Sequence, residues 1–202
     1  MNKTYLNDTN YVTLVGRLTD NISEEFTTPD GKKFITAQLV VKRISGIEDY
    51  VMLTIPSHYK NILPYDDKLM VRGVYRTYNF DGHLIQRVFV KEWGIIDPVN
   101  DDVNQFIFTG TIVNIKPLRE SPQGKVILDI VVAINSTNRS AYVPCVVWGN
   151  SARYLSDSPV GTRISCTARL QSRLYEKIID DIKHTRMAYE VSVLDLEVID
   201  NE

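Results

Sequence analysis

The sequence predicts an all-β protein with minor α content, built from two copies of one small barrel in tandem. The first observation is a repeat: YVTLVGRLT around Gly16 has a counterpart, FIFTGTIV, around Gly110. The landmarks that follow keep their spacing, with 15 residues from Gly16 to Gly31 and 14 from Gly110 to Gly124. The second observation is size, because 202 residues with 44% hydrophobic content suit two small globular domains.

Alternation of apolar and polar residues, rich in Val, Ile, Thr and Tyr, is the third observation and predicts five strands in each copy. They are 11–18, 33–43, 49–55, 68–78 and 84–93, then 106–116, 125–135, 141–148, 162–174 and 185–199. Turn-forming residues around Gly31, Gly82 and Gly124 separate strands. Segments of helical character at 57–64 and 150–156 lie between the third and fourth strands. This order is typical of an OB-fold, a partly open five-stranded Greek-key barrel, although the periodicity also allows another small five-stranded barrel.

The predicted organisation is therefore an OB-fold domain at 1–93, a linker at 94–105 and a second OB-fold domain at 106–202. The linker is short and carries Asp97, Asp101 and Asp102, so we expect the two barrels to have restricted relative motion.

Charge and motif content exclude several functional classes. The net charge of −2 does not by itself favour nucleic-acid binding, but residues 106–194 carry 11 basic and 7 acidic side chains, which predicts a basic face. Cys145 and Cys166 lack metal spacing, so buried free thiols and no metal or cofactor are expected. The three histidines are isolated and no catalytic motif is present, so we predict no enzyme. No secretory signal or membrane span is evident, which favours the cytoplasm.

Five segments carry a family resemblance. VTLVGRLT at 12–19 and AQLVVKR at 37–43 resemble the opening of bacterial and phage single-stranded DNA-binding proteins. YVPCVVWG at 142–149, ARLQSRLYE at 168–176 and RMAYEV at 186–191 are similar to that family's third, fourth and fifth strands. The resemblance implies an OB-fold that binds single-stranded DNA without sequence choice during replication, recombination or repair.

The resemblance also carries expectations about assembly and partners. Members usually gather four OB domains, so a chain with two implies a homodimer. Members usually end in a flexible tail with an acidic Pro-Phe tip that recruits other enzymes. This sequence ends in the acidic DLEVIDNE without that tip, so recruitment through a tail is not expected.

Candidate binding residues in the second copy are aromatic and basic. Tyr142 and Trp148 are six residues apart on one strand and share a face. The family places base-stacking aromatics at positions that match Tyr142, Trp148 and Tyr175, and stacking serves any base because every base has a π-face. Packing of the first two against the linker or a subunit is the alternative. Arg169 and Arg173 share a face and are candidates for phosphate contacts.

Further candidates are weaker or lie in the first copy, where Pro56 stands at the position of Trp148. Tyr50 matches Tyr142 and Phe80 matches Tyr175. The remaining candidates are neighbours of these aromatics or nearby basic residues: Tyr78, Arg76, Lys42, Arg43 and, in the second copy, Lys125. The first copy is expected to bind more weakly or to serve mainly in assembly.

Two other functions use the same barrel. One is an OB-fold interaction module of a primosome or replication-restart assembly, whose main partner is protein. The other is RNA binding, which the sequence does not separate from DNA binding because stacking ignores the sugar.

Overall fold

A computed structural model describes residues 8–23, 25–64, 67–137, 139–179 and 182–199, apart from the side chains of residues 21, 177–179 and 182. Residues 1–7 of the first predicted domain and 200–202 of the second, which end the acidic C-terminal segment, lie outside these ranges. The described chain forms two five-stranded barrels, which confirms the predicted all-β (minor α) fold of two tandem OB-folds. We call these barrels the first and second units.

The first unit contains the five barrel strands, the additional two-residue strand β2 and one 3-10 helix. The strands are β1 (Asn10–Ile22), β2 (Phe26–Thr27), β3 (Lys33–Lys42), β4 (Glu48–Pro56), β5 (Lys68–Phe80) and β6 (His83–Ile96), and the 3-10 helix spans Ser57–Ile62. The second unit repeats this order. Its elements are β7 (Val103–Ile115), β8 (Arg119–Glu120), β9 (Val126–Ile134), β10 (Ala141–Trp148), α1 (Gly149–Ser156), β11 (Arg163–Ile179) and β12 (Ile182–Ile199).

Each barrel closes through the same two pairings. In the first unit β1 pairs with both β5 and β3, and β4 pairs in parallel with β6. In the second unit β7 pairs with both β11 and β9, and β10 pairs in parallel with β12. One strand can serve two neighbours in this way only if it bends sharply along its length. The closed ladder leaves the outer surface of each barrel free for binding.

The cores follow the alternation seen in the sequence. Ile35, Ala37 and Leu39 on β3 are fully buried, as are Val143 and Val147 on β10. Because successive strand residues point to opposite faces, Cys145 shares the core face with Val143 and Val147, while the alternate residues of both strands lie outside the barrel. The predicted division of β10 into a core face and an outer face is therefore confirmed.

The repeated glycines mark the bend of the first strand in each unit. A Cβ at Gly16 would lie 2.1 Å from the carbonyl oxygen of Val40, and one at Gly110 would lie 2.7 Å from that of Ala133. No side chain fits at such a distance, so both positions require glycine for close approach of two strands. This contact explains why the two glycines keep equivalent places in the repeat.

The two units are joined edge to edge by antiparallel pairing of β1 with β7. The register pairs Val12 with Phe106, Asn10 with Phe108 and Leu14 with Asn104. Since 94 residues separate both Asn10 from Asn104 and Val12 from Phe106, this register is symmetric about the Val12–Phe106 pair. A pseudo-twofold axis therefore relates the units. The strands that flank the connection end at Ile96 and begin at Val103, and the domain limits 1–93, 94–105 and 106–202 stay a prediction.

Asparagine hydrogen bonds repeat this symmetry. The Asn10 side chain donates to the carbonyl of Tyr75 and accepts from its amide, at 2.9 and 2.8 Å. Asn104 does the same with Leu170, at 2.7 and 2.8 Å. Each asparagine thus fixes the fourth barrel strand of its own unit beside the central β1–β7 pair.

Long hairpins cross from each unit to the other. The β5–β6 hairpin reaches β10, where the Thr77 hydroxyl donates to the Tyr142 carbonyl at 2.8 Å. The β11–β12 hairpin reaches β4, where the Tyr50 amide donates to the Ser172 hydroxyl at 2.8 Å. Each hairpin therefore lies beside the third barrel strand of the opposite unit.

Gly16→Ala is predicted to destabilise the protein by about 1–3 kcal/mol, because an added methyl group would force β1 away from β3. Urea unfolding followed by tryptophan fluorescence measures the change. Gly94→Ala is the matched control: nothing lies within 4 Å of its added Cβ and its φ is ordinary for a strand, so its stability should stay within about 1 kcal/mol of the parent. Equal losses in both variants would contradict this account of Gly16.

Candidate nucleic-acid interface

The outer face of β10 carries two of the predicted aromatics in different environments. Tyr142 is 57% exposed. Trp148 is half-buried, and its indole Nε1–H donates to the hydroxyl of the buried Ser192 on β12 at 2.9 Å. Tyr142 presents a free ring, whereas Trp148 is also part of the packing between β10 and β12.

The predicted residues of β11 share the face opposite the core. Leu170 and Ala168 are buried, while Arg169, Arg173 and Tyr175 point outward, with Tyr175 37% exposed. Arg173 Nε lies 3.9 Å from a Glu190 carboxylate oxygen. Burial lowers the pKa of the Arg169 guanidinium, and the nearby Arg43 charge lowers it further.

Most of the predicted cations have protein contacts of their own. Arg43 donates two hydrogen bonds, of 2.7 and 2.6 Å, to the fully buried carboxylate of Asp49, which raises the pKa of Arg43. Lys42 and Lys125 are exposed at loop ends. Among the predicted residues of the first unit, Tyr50 donates a hydrogen bond from its phenolic hydroxyl to the Glu48 carboxylate, at 3.2 Å. Asp49 also accepts a hydrogen bond from the amide of Ser172 at 3.1 Å, so the Arg43–Asp49 pair lies at the junction between units.

The β5–β6 hairpin brings together the remaining candidates. Phe80 at its tip is 70% exposed. The guanidinium of Arg139, from the second unit, lies 5.9 Å from the ring centroid of Tyr78, within cation–π range. Arg76 lies over the ring of Phe89 at 4.9 Å. The hairpin of one unit and a loop of the other thus form one aromatic and basic surface.

Sequence reasoning missed three phenylalanines beside this hairpin. Phe26, Phe34 and Phe89 are half-buried, with successive ring centroids 6.0 Å apart. We call them the phenylalanine patch. Alternation could have found two of them, because Ile35 is buried next to Phe34 and Val88 next to Phe89, which puts both rings outside the barrel.

The phenylalanine patch lies in a groove of about 1290 Å³ along the first unit. The groove is lined by six Phe or Tyr side chains, five Lys or Arg side chains and two acidic ones. Both acids are engaged, since Glu25 pairs with Lys33 at 2.8 Å and Asp30 with Lys32 at 2.7 Å. The groove therefore offers apolar ring faces together with uncompensated positive charge.

Other chemistries find no support in the described part of the chain. No three of its His, Cys, Asp and Glu residues come together as metal ligands. The thiols of Cys145 and Cys166 are buried and free, and burial raises the pKa of Cys166 to about 12. No helix in the described ranges is long and apolar enough to span a membrane.

Comparisons with known proteins agree with this geometry. Residues 103–199, which comprise the second unit, match the single-strand binding protein family. The wild-type single-stranded DNA binding protein from Thermus aquaticus has a similar structure, with a TM-score of 0.75 and 21% identity over 98% of this chain and 96% of that one. A deletion variant of it gives a TM-score of 0.75 and 20% identity over 97% of both chains.

These structural matches run across both units and establish the fold, while no curated protein matches by sequence. The similarity to the single-strand binding protein family covers residues 103–199, the second unit, and the similarity to the Thermus aquaticus structures covers the fold of both units.

Proposed function

We propose that this protein binds single-stranded DNA without sequence preference and protects it during replication, recombination or repair. The observation that carries the proposal is the set of exposed rings on the outer faces and hairpins of two OB-folds, above all Tyr142, Phe80 and Tyr175. Exposed rings of this kind stack on any base, at about 1–3 kcal/mol per base. The family match of the second unit supports the same function. The proposal includes no catalytic step.

Assembly is the second part of the proposal. The central sheet leaves apolar side chains on its outer surface, with Tyr11 and Ile107 directly opposite each other on β1 and β7 and both exposed. A second copy seated there would bury this pair at the pseudo-twofold axis and bring four OB-folds together. We propose a homodimer of this kind.

Binding of oligo-dT should weaken steeply as salt increases, because phosphate contacts release counterions. The slope of log affinity against log salt is expected to be about −0.7 for each phosphate neutralised. Quenching of the two tryptophans in a titration at several salt concentrations measures it. A protein that interacts mainly with other proteins would give no salt-dependent quenching, and preference for oligo-U over oligo-dT would favour RNA instead.

Tyr142→Ala should weaken oligo-dT binding by about 1–3 kcal/mol through loss of one stacking platform, with little change in the salt slope. Tyr142 suits this test better than Trp148, whose indole also bonds Ser192. Tyr154→Ala is the control, because Tyr154 is 66% exposed on α1 and belongs to neither hairpin nor groove. Equal affinity of the two variants would contradict stacking at Tyr142.

Light scattering at micromolar concentration should give the mass of two chains if the homodimer forms. Tyr11→Glu combined with Ile107→Glu should shift the mass to one chain, since two carboxylates on each copy would meet in the interface. Val99→Glu, at an exposed position of the connection between units, is the control and should leave the mass unchanged. A monomer mass for the unaltered protein would overturn the assembly.

A further inference from the structure

Charge is distributed unequally between the two hairpin junctions that the pseudo-twofold axis relates. On the side where the β11–β12 hairpin meets β4, Arg43 is paired with Asp49, and Arg173 lies beside Glu190. On the side where the β5–β6 hairpin meets β10, the arginines are Arg76, Arg87 and Arg139. Among the described residues, none of these three forms an ion pair with a carboxylate. Two related junctions therefore differ: on the first side two arginines have a carboxylate beside them and Arg169 forms no ion pair among the described residues, whereas on the second side none of the three arginines forms one.

The unpaired arginines crowd one another. Arg76 and Arg87 are directly opposite across the antiparallel β5–β6 pair, an arrangement that is unfavourable for like charges. Burial lowers the pKa of the Arg76 guanidinium, and the nearby charge of Arg139 lowers it further. A bound polyanion would relieve this repulsion, because its phosphates would supply the missing negative charge.

The arginines also lie where two cavities meet. Arg76 and Arg139 line both the groove of the first unit and a second cavity of about 350 Å³ at the junction between units. Arg76 covers Phe89 of the phenylalanine patch, and Arg139 covers Tyr78 of the hairpin. Two guanidinium groups thus lie at the end of a row of aromatic rings.

We infer that the first unit holds a strand-binding site that the second unit completes, with bases on the phenylalanine patch and phosphates on Arg76, Arg87 and Arg139. The inference rests on the proposed function and names the surface that performs it. It reverses the expectation that the first unit binds more weakly. Because Arg139 belongs to the second unit, a strand bound to Arg139 and to the first unit also stabilises the contact between the two units.

Single-stranded nucleic acid suits this surface better than an acidic peptide. Charge alone would attract either polyanion. Three adjacent half-buried phenylalanine rings have no polar atom to bond a peptide backbone, whereas flat bases stack on ring faces regardless of sequence. An acidic peptide that displaced the strand with equal affinity would contradict the assignment.

The test is fluorescence anisotropy of a labelled oligo-dT strand with four single variants of the full chain. Phe34→Leu and Phe89→Leu keep apolar bulk but remove the ring face, and each should weaken binding by about 5- to 150-fold with an unchanged salt slope. Arg139→Gln should make the salt slope shallower by about 0.7. Arg153→Gln removes the same charge from the exposed surface of α1 and should leave the slope unchanged.

The outcomes separate the two proposals. If the unaltered protein binds oligo-dT and all four variants bind like it, the site in the first unit is wrong and the general function stands. If the unaltered protein binds no oligo-dT, both proposals fail. Thermal unfolding of each variant shows whether it keeps the structure of the parent. If a leucine variant melts far below the parent, its binding result is set aside, and a bromodeoxyuridine-substituted strand is cross-linked to the unaltered protein instead. Cross-links confined to the second unit would overturn the inference.

Discussion

The antiparallel pairing of β1 with β7 is the constraint on which the rest of the molecule depends. It joins two barrels into one continuous sheet and sets the pseudo-twofold axis at the Val12–Phe106 pair. The buried rings of Tyr75, Phe106 and Phe108 pack at this axis, with centroids 5.1 and 4.6 Å apart. Because the register is fixed by both backbone pairing and buried side chains, neither unit can slide without exposing apolar surface. Every contact between hairpin and opposite unit follows from that register.

The same register explains why the proposed binding residues gather across units rather than within them. The sequence suggests Tyr142 and Tyr175 as members of one site because they lie in one copy. In the fold, Tyr142 lies beside the β5–β6 hairpin through Thr77, and the β11–β12 hairpin lies beside Tyr50 through Ser172. A strand that follows either surface must therefore contact both units, which favours one extended binding path over two separate sites.

The fold was predictable because its signals are local and repeated. Strand alternation, turn glycines and the paired spacing from Gly16 and Gly110 each depend on near neighbours in the chain. The partner of Trp148 was not predictable, since Ser192 reaches it only through the β10–β12 pairing that closes the barrel. The Arg43–Asp49 pair lies within the β3–β4 hairpin, but its position beside the second unit depends on the tertiary fold. The phenylalanine patch was partly predictable from sequence. Alternation puts Phe34 and Phe89 outside the barrel, but only the pairing of β3 with β4 and of β4 with β6 makes them neighbours.

Comparison of equivalent positions shows how the two units came to present different surfaces. The strand registers make Pro56 equivalent to Trp148 and Phe89 equivalent to Ser192. At this pair of equivalent positions each unit thus has one large ring, supplied by β6 in the first and by β10 in the second. The indole N–H of Trp148 needs a hydrogen-bond acceptor, and the Ser192 hydroxyl supplies it. The edge of the Trp148 ring therefore faces β12. Phe89 has no polar hydrogen that needs an acceptor, and the small side chain of Pro56 leaves space beside it. The exchange therefore converts a packed patch into an open groove, which is the surface that we propose for binding bases.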